Sequence, residues 1–324
     1  MQDRTLSRRA LLATAALGGA ACVFRPSALA AQAQRLIAQR PSARVIVDND
    51  FAGDPDGLIA LAHQLLSPKT RVRLVTASAL DPRLAGDLLK GRTAETGRGA
   101  ALDLIRLIGR ANPPPVLTGS ELFDLAPSPA AKAIVAEALR DDPLPLFVTC
   151  GGPLTNVAAA LRLRPEIALR MTLIWIGGGA YPDGGDEYNL ATDRAAARYV
   201  IEESRVPLWQ IPQDVYRDLQ YSVAEMTADF RSISPLTRWL YERYTTLPAW
   251  VELGGALTMG DSPLVLLTAL SGDSSDHQER PARRIKADLR YGEQVPNRMV
   301  RVYQRIDGRL MLADMLAAFR LHAQ

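Results

Sequence analysis

The sequence has few of the residues that carry thiol, disulfide or zinc chemistry. It contains two cysteines and three histidines in 324 residues, and aromatic residues make up 6% of the chain. Cys22 lies within the first 30 residues, so Cys150 is the only cysteine after them, and an intrachain disulfide is excluded there. No Cys/His spacing typical of a zinc site occurs.

An excess of one charge is also lacking once the N-terminus is set aside. The chain has 38 basic and 35 acidic residues, and 48% of its residues are hydrophobic. Residues 1–30 hold four of the arginines and one of the aspartates, which leaves 34 residues of each sign. We therefore expect a substantial apolar core and no nucleic-acid partner.

The N-terminal segment has the pattern of an export signal. Ser7–Arg8–Arg9 precedes an apolar stretch that runs to Val23, and Ala28–Leu29–Ala30 is typical of a cleavage site. The paired arginines predict the twin-arginine route, and hence a periplasmic or secreted protein. The apolar stretch is too short for a stable membrane span. An ordinary N-terminal helix is the alternative interpretation.

Strand and helix patterns alternate over most of the remaining chain. This alternation predicts an α/β fold with a largely parallel, Rossmann-like open sheet and helices on both faces. The expected strands are Val45–Asp48, Val72–Ala77, Val116–Thr118, Leu144–Thr149, Met171–Ile176 and Pro207–Ile211. The expected helices are Pro55–Leu66, Ala100–Ile108, Pro129–Leu139, Leu154–Leu163 and Asp193–Glu203, with helical segments over 222–250 and 262–270.

The C-terminal part has a different pattern. Ile285–Tyr291 and Met299–Ile306 alternate in polarity, which predicts a pair of antiparallel strands, and Leu310–Leu321 is typical of a closing helix. No repeat or linker interrupts the chain. We therefore expect a signal peptide over 1–30, a lead-in over 31–43 and a single domain over 44–324.

The most informative stretch is a strand-to-helix turn that carries four carboxylates within nine residues. They are Asp48, Asp50, Asp54 and Asp56. Ligands of open α/β sheets bind at the carboxyl ends of strands, and a cation that shares the acids would relieve their repulsion. Hard oxygen ligands suit Ca²⁺ or Mg²⁺. Asp54 precedes a proline and fits a helix cap as well as a metal ligand, whereas Asp50 has no capping role.

Three further motifs follow in order. They are Gly152–Pro153–Leu154–Thr155–Asn156, then Gly178–Gly179–Ala180 with Glu187–Tyr188–Asn189, and finally Asp261–Ser262–Pro263–Leu264. Together with the acidic turn, and over about residues 44–270, this series resembles the nucleoside hydrolase family of the inosine–uridine preferring type. Each motif alone is weak, but four in the family's order are a strong signal.

The resemblance implies an N-ribohydrolase with one bound Ca²⁺, favoured over Mg²⁺. Asp50 would be a metal ligand and the general base that activates water. Asp261 and the backbone carbonyl of Gly151 would be further ligands. Asp54 and Asp56 are additional candidate ligands, since they lie in the same turn.

The resemblance also implies a ribose site and a small nucleoside or related glycoside as substrate. Asp56 would hold the ribose 2′-hydroxyl, and Glu187 and Asn189 would hold ribose hydroxyls from the opposite side. The chain departs from the family at several positions, including an expected asparagine missing from Ala77–Leu80 and a short loop at Tyr181–Asp186. Gly57 stands where a second metal-binding aspartate is usual, and Gly260 stands where many members have a histidine. The sequence leaves open whether the protein is a homo-oligomer.

Three functions remain open on the sequence alone. The first is an exported, Ca²⁺-dependent nucleoside hydrolase or a hydrolase of another glycoside. The second is a catalytically weak relative that binds a ribosyl or sugar ligand. The third is a phosphohydrolase with an aspartate nucleophile, and it is the least favoured because none of the four lysines, Lys69, Lys90, Lys132 and Lys286, lies in a matching motif.

Overall fold

An eight-stranded sheet forms the centre of the computed structural model, which describes residues 37–53, 55–86, 90–246 and 254–324. Residues Arg40–Gln324 form one compact unit. The expected signal peptide and Asp54 lie outside the described residues. The strands are β1 (Ala43–Asn49), β2 (Thr70–Ala77), β3 (Val116–Thr118), β4 (Leu146–Cys150), β5 (Thr172–Ile176), β6 (Leu208–Ile211), β7 (Gln220–Ser222), β8 (Ala256–Thr258), β9 (Asp276–Ile285) and β10 (Tyr291–Arg305).

The order of the sheet is β3-β2-β1-β4-β5-β6-β10-β9, and β7 and β8 form a separate antiparallel pair. Every neighbouring pair of the large sheet is parallel except β9 and β10. The first six strands therefore have the doubly wound Rossmann order, which reverses direction between β1 and β4. The predicted α/β class, with its largely parallel sheet and C-terminal strand pair, is confirmed.

Helices cover both faces of the sheet. They are α1 (Asp56–Leu66), α2 (Thr93–Ile108), α3 (Pro129–Ala138), α4 (Thr155–Leu163), α5 (Tyr188–Thr192), α6 (Arg194–Arg198), α7 (Gln213–Tyr216), α8 (Val223–Glu225), α9 (Pro235–Thr245), α10 (Pro263–Ala269) and α11 (Gly308–His322). Pro165–Leu169 is a 3₁₀ turn, and π-helical turns at Tyr199–Glu203 and Met226–Phe230 extend α6 and α8.

The side chains of β1 alternate between two apolar cores. Val45 and Val47 pack in the core that includes α1, α2 and α11, whereas Ile46 packs in the core that includes α3, α4 and α6. This alternation follows from the two-residue period of a strand. Since both faces of β1 are covered, the strand reads as a continuous apolar run in the sequence.

Several predicted boundaries are wrong. Helix α2 begins at Thr93 rather than at Ala100, because the amides of Ala94 and Glu95 donate to the Glu121 carboxylate (3.1 and 2.9 Å) and so cap an earlier start. That cap comes from beyond β3 and leaves no local signal. The described part of 222–250 is largely helical, as predicted, and consists of α8 with its π-helical turn followed by α9.

The predicted strand at Ile285–Tyr291 is also wrong. Ile285 ends β9 and Tyr291 begins β10, and the residues between them form the connection, with Leu289 in a left-handed conformation (φ 65°). The actual partner strand, Asp276–Ile285, is a largely exposed and charged edge strand, and its charges concealed it from a search for apolar alternation. Among the described residues, no helix is long and apolar enough to cross a membrane.

Candidate active site

The candidate site lies where the strand order of the sheet reverses. β1 leads into α1 on one face and β4 leads into α4 on the other, which opens a crevice beyond the carboxyl ends of both strands. Asp48 pairs with Cys150 in the sheet, so the following turns run side by side. A Cβ atom on Gly152 would lie 3.0 Å from the Asp50 amide nitrogen. The acidic turn and the turn after β4 therefore form two walls of one site.

Asp48 belongs to the interior rather than to this crevice. Its side chain is 0% exposed and accepts hydrogen bonds from Thr76 Oγ1 (2.5 Å), Ser78 Oγ (2.8 Å) and Asn156 Nδ2 (2.8 Å). The Cys150 thiol also donates to it (3.4 Å). Burial raises the pKa of Asp48, although the hydrogen bonds oppose the shift. Asp48 therefore has a structural role and ties β1, β2 and α4 together.

Asp50 follows β1 at the mouth of the site and is 8% exposed. The hydroxyl of Tyr188, the second residue of the Glu187–Tyr188–Asn189 motif, donates a hydrogen bond to its carboxylate. The same hydroxyl accepts from the Asp81 amide (3.4 Å). Burial and the nearby Asp50 charge raise the pKa of Tyr188, so the phenol stays protonated. Tyr188 thus contacts the carboxylate that is predicted to be the general base.

Asp261 reaches the site from the turn before α10. Its Oδ2 accepts a hydrogen bond from Asn49 Nδ2 (2.8 Å), and its backbone amide donates to Asp56 Oδ2 (3.1 Å). A Cβ atom on Gly151 would lie 2.6 Å from Asp261 Oδ1. The structure therefore brings Asp56, Gly151 and Asp261 together, as the resemblance implies.

Glu187 is buried and occupies both of its carboxylate oxygens. It caps α5 by accepting from the amides of Asn189 (3.1 Å) and Leu190 (2.9 Å), and it also accepts from the Gly178 amide (2.7 Å) and the Tyr216 hydroxyl (2.9 Å). Burial raises the pKa of Glu187, against the effect of these donors. Four donors fill the usual acceptor capacity of a carboxylate.

Asn189 joins the ends of two strands and retains one unused oxygen. Its Nδ2 donates to the carbonyls of Gly151 (3.0 Å) and Ile176 (2.9 Å). Its Oδ1 is buried and has no hydrogen-bond partner among the described residues. Buried amide oxygens are normally paired. This oxygen is therefore free to accept a hydrogen bond from a ligand or to contact a cation.

The donor set fits a hard cation. Asp50, Asp56 and Asp261 offer carboxylates, and Gly151 and Asn189 offer neutral oxygens, which are the ligands that Ca²⁺ uses. Within the described part of the chain, no three acidic, histidine or cysteine side chains are close enough to hold a metal ion unaided. A metal at this position would therefore need neutral oxygens or Asp54, which lies outside the described residues.

The sequence and the fold agree with those of known proteins. A model of the inosine-uridine preferring nucleoside hydrolase family matches residues 45–258, more than half of the chain. The chain belongs to this family. It is similar to the pyrimidine-specific ribonucleoside hydrolase RihA of Salmonella arizonae, with 30% identity over 197 residues that cover 55% of this chain and 63% of that protein.

A relative of the same description from Citrobacter koseri is 32% identical over 204 residues, which cover 56% of this chain and 64% of that protein. The chain thus matches less than two-thirds of the length of these nucleoside hydrolases. A solved plant nucleoside hydrolase, the PpNRh1 enzyme, has a TM-score of 0.67 and 17% identity and covers 86% of this chain and 99% of that one. At this identity, the likeness supports the fold.

At two glycines where the chain departs from the nucleoside hydrolase motifs, neighbouring side chains occupy the space that a side chain would need. A Cβ atom on Gly57 would lie 2.8 Å from Asn49 Nδ2, so the Asn49 carboxamide fills that space. A Cβ atom on Gly260 would lie 3.2 Å from Tyr216 Cδ2 and 3.4 Å from Asp56 Oδ2. The tyrosine ring therefore lines the place where many members have a histidine.

Sequence reasoning missed three residues of the site, namely Asn49, Tyr188 and Tyr216. Asn49 and Tyr188 stand inside motifs that were recognised, and no role was assigned to either. Tyr216 lies outside every motif, so no sequence signal could have indicated its bond to Glu187. The predicted roles of Asp50, Asp56, Glu187, Asn189 and Asp261 in catalysis and binding stay predictions.

Proposed function

We propose that this protein hydrolyses the N-glycosidic bond of ribonucleosides with a bound Ca²⁺ ion. The observation that carries the proposal is the contact between Asp56 and Asp261 beside Gly151 at the strand-order reversal, next to the turn that carries Asp50, in a chain of the nucleoside hydrolase family. Asp56 and Asp261 are 205 positions apart in the sequence. Their convergence beyond buried parallel strands is typical of a ligand site.

Asp50 is the proposed general base. It removes a proton from water as the water oxygen attacks the anomeric carbon and the bond to the nucleobase breaks. The leaving base takes up a proton, and ribose and free base are released. Positive charge develops on the ribosyl ring in an oxocarbenium-like transition state, which the surrounding carboxylates stabilise. The Tyr188 hydroxyl holds Asp50 in one orientation through this step.

The residues that would hold Ca²⁺ are Asp50, Asp56, Asp261 and the carbonyl of Gly151, and Asp54 is a further candidate. When bound, the ion would offset the repulsion among these acids and lower the pKa of a nearby water molecule. The abundance of carboxylate and carbonyl oxygens favours Ca²⁺ over Mg²⁺, because Ca²⁺ accepts more protein ligands in less regular geometry.

Asp56 and Asn189 are the proposed ribose ligands. The unpaired Oδ1 of Asn189 supports its role, because a ribose hydroxyl would satisfy that oxygen. Glu187 can accept a ribose hydroxyl only if the Tyr216 hydroxyl gives way, since its four acceptor positions are filled. We therefore propose that Glu187 mainly orients Asn189 and α5.

The second candidate function is a catalytically weak relative that binds a ribosyl or sugar ligand. It is favoured by Gly260, which offers no side chain to protonate a leaving nucleobase. We also propose that residues 1–30 direct export by the twin-arginine route, as the paired arginines indicate.

Release of ribose from a panel of purine and pyrimidine nucleosides, with and without a chelator, tests the proposal. We expect turnover that requires Ca²⁺, and a loss in the Asp50→Asn variant of about 10³-fold in kcat, within the usual range for a general base. Asn is the matched substitution because it preserves shape and removes the basic oxygen. Full activity in Asp50→Asn would contradict the assignment. Binding of ribose or nucleoside without turnover in the wild-type protein would favour the second candidate.

A further inference from the structure

Asn49 occupies a buried position in the candidate site. It is the last residue of β1 and is buried, and its carboxamide donates to Asp261 Oδ2 at 2.8 Å. The two residues are 212 positions apart in the sequence. A hydrogen bond from an amide to a carboxylate is charge-assisted and stronger than a bond between neutral groups. Asn49 therefore holds one oxygen of Asp261 in a fixed direction.

Two glycines make room for this carboxamide. A Cβ atom on Gly57 would lie 2.8 Å from Asn49 Nδ2 and Oδ1, and one on Gly151 would lie 2.4 Å from Nδ2. Neither glycine has a positive φ, so backbone conformation does not require glycine at either position. Gly57 is within α1, where glycine costs about 1 kcal/mol relative to alanine. The space taken by Asn49 is thus the physical reason for glycine at position 57.

Asp261 is held from two sides. Asn49 binds its Oδ2, and Asp56 accepts from its backbone amide at 3.1 Å. Its other oxygen, Oδ1, lies on the Gly151 side, where the carbonyl that accepts from Asn189 belongs to the proposed ligand set. The donor on Oδ2 therefore helps to hold Oδ1 beside Gly151.

We propose that Asn49 is a positioning residue for the cation site. Its carboxamide occupies the space beside Gly57 and Gly151 and aligns the Asp261 carboxylate. In this chain, that alignment requires a residue without a side chain at position 57. A side chain at position 57 would push the carboxamide away and break its bond to Asp261. This inference rests on the proposed Ca²⁺ site and concerns how the chain shapes it.

Calorimetric titration of the full chain with Ca²⁺, together with thermal unfolding, tests this role. We expect Asn49→Ala to raise the Kd for Ca²⁺ by about 10- to 100-fold, as loss of a residue that orients a ligand commonly does. Gly57→Ala should weaken Ca²⁺ binding in the wild-type background and add little in the Asn49→Ala background, where the carboxamide is already absent. This lack of additivity is a readout that a purely structural role of Asn49 would not produce.

Asn156→Ala is the matched control. Asn156 is also a buried asparagine that donates to an aspartate at 2.8 Å, and it also faces a glycine, since a Cβ atom on Gly119 would lie 2.4 Å from its Oδ1. Its partner Asp48 lies outside the site. We expect Asn156→Ala to lower the unfolding temperature and to leave the Kd for Ca²⁺ within about twofold, because no proposed ligand changes its orientation.

Each outcome separates the inference from the proposed function. Ca²⁺ binding by the wild type with an unchanged Kd in Asn49→Ala overturns the role of Asn49 alone. Absence of Ca²⁺ binding by the wild type overturns the inference and the metal part of the proposed function together. If Gly57→Ala does not fold, the double variant with Asn49→Ala decides, and its failure to fold would overturn the steric argument.

Discussion

Asp48 and Asp261 each accept a hydrogen bond from an asparagine whose carboxamide occupies the space beside a glycine. The two groups of residues lie on opposite sides of the end of β1. In the first, Asn156 donates to Asp48 and faces Gly119; in the second, Asn49 donates to Asp261 and faces Gly57 and Gly151. The surroundings differ. Asp48 lies wholly inside the protein among hydroxyl donors, whereas Asp261 lies beside the other acids of the crevice.

The comparison shows that the same three residue types can serve two purposes. Around Asp48, the donors come from β2 and α4, so the carboxylate joins elements of secondary structure. Around Asp261, an asparagine donates to Oδ2, and Oδ1 lies at the Gly151 turn. What distinguishes the structural aspartate from the candidate ligand here is its surroundings, which are interior hydroxyl donors for Asp48 and the turns of the crevice for Asp261.

The largest effect that would test this comparison is expected for Asp48→Asn. The new NH₂ group would replace either Oδ1, which accepts from Thr76 Oγ1 and Asn156 Nδ2, or Oδ2, which accepts from Ser78 Oγ and the Cys150 thiol. We expect the free energy of unfolding in urea to fall by about 2–4 kcal/mol, because several buried donors lose their acceptor.

Ca²⁺ affinity is the control for that variant. If Asp48 is structural, the folded Asp48→Asn protein should bind Ca²⁺ with nearly the wild-type Kd. A protein of wild-type stability that no longer bound Ca²⁺ would reverse the comparison, because it would make Asp48 part of the cation site.

A smaller effect is expected for Tyr188→Phe. This variant tests whether a hydrogen bond to Asp50 from a residue outside the proposed ligand set contributes to catalysis. The substitution keeps the ring and removes the hydroxyl that donates to Asp50. We expect kcat to fall about tenfold, or about 1.4 kcal/mol, within the range for a charge-assisted hydrogen bond. KM should stay close to the wild-type value, because Tyr188 is not a proposed ribose ligand.

Tyr199→Phe is a matched control for that measurement. Tyr199 packs at the π-helical turn after α6, where its ring lies beneath Arg162. Its loss of a hydroxyl should change neither kcat nor KM. A change in KM alone in Tyr188→Phe would show that the hydroxyl contacts substrate rather than the general base.

The sequence allowed prediction of the fold because its signals are local. The alternation of strands and helices, the apolar run of β1 and the turn residues after β4 each depend on a few consecutive residues, and all were interpreted correctly. The start of α2 was not, because its cap is Glu121, which lies beyond β3. The edge strand β9 was not, because its exposed side chains are charged and lack apolar alternation.

The same distinction applies to the candidate site. That Asp261 lies close to Asp56 could be predicted because a family resemblance supplied the long-range information. The bond from Asn49 to Asp261 spans 212 positions, and the bond from Tyr216 to Glu187 depends on how α7 packs against α5. Neither hydrogen bond can be predicted from sequence spacing, because both depend on tertiary packing. The residue types alone indicate no such role.

The smallest expected effect is a dependence of stability on pH that arises from Asp48. Burial raises the pKa of Asp48 in the folded protein, so the native state retains this proton to a higher pH than the unfolded chain, whose aspartates titrate near about 3.9. Between these two pKa values the native state binds more protons, and the free energy of unfolding therefore decreases as pH rises. The contribution is at most about 1.4 kcal/mol for each pH unit of that interval.

Asp48→Asn isolates this contribution because the amide does not titrate. We expect the difference in unfolding free energy between wild type and variant to be greatest below about pH 4 and to narrow as pH rises through the native pKa of Asp48. Urea unfolding at half-unit pH steps in the presence of a chelator measures this difference without a contribution from bound cation. A difference that widens with pH would mean that the donors around Asp48 outweigh its burial and that ionised Asp48 stabilises the fold.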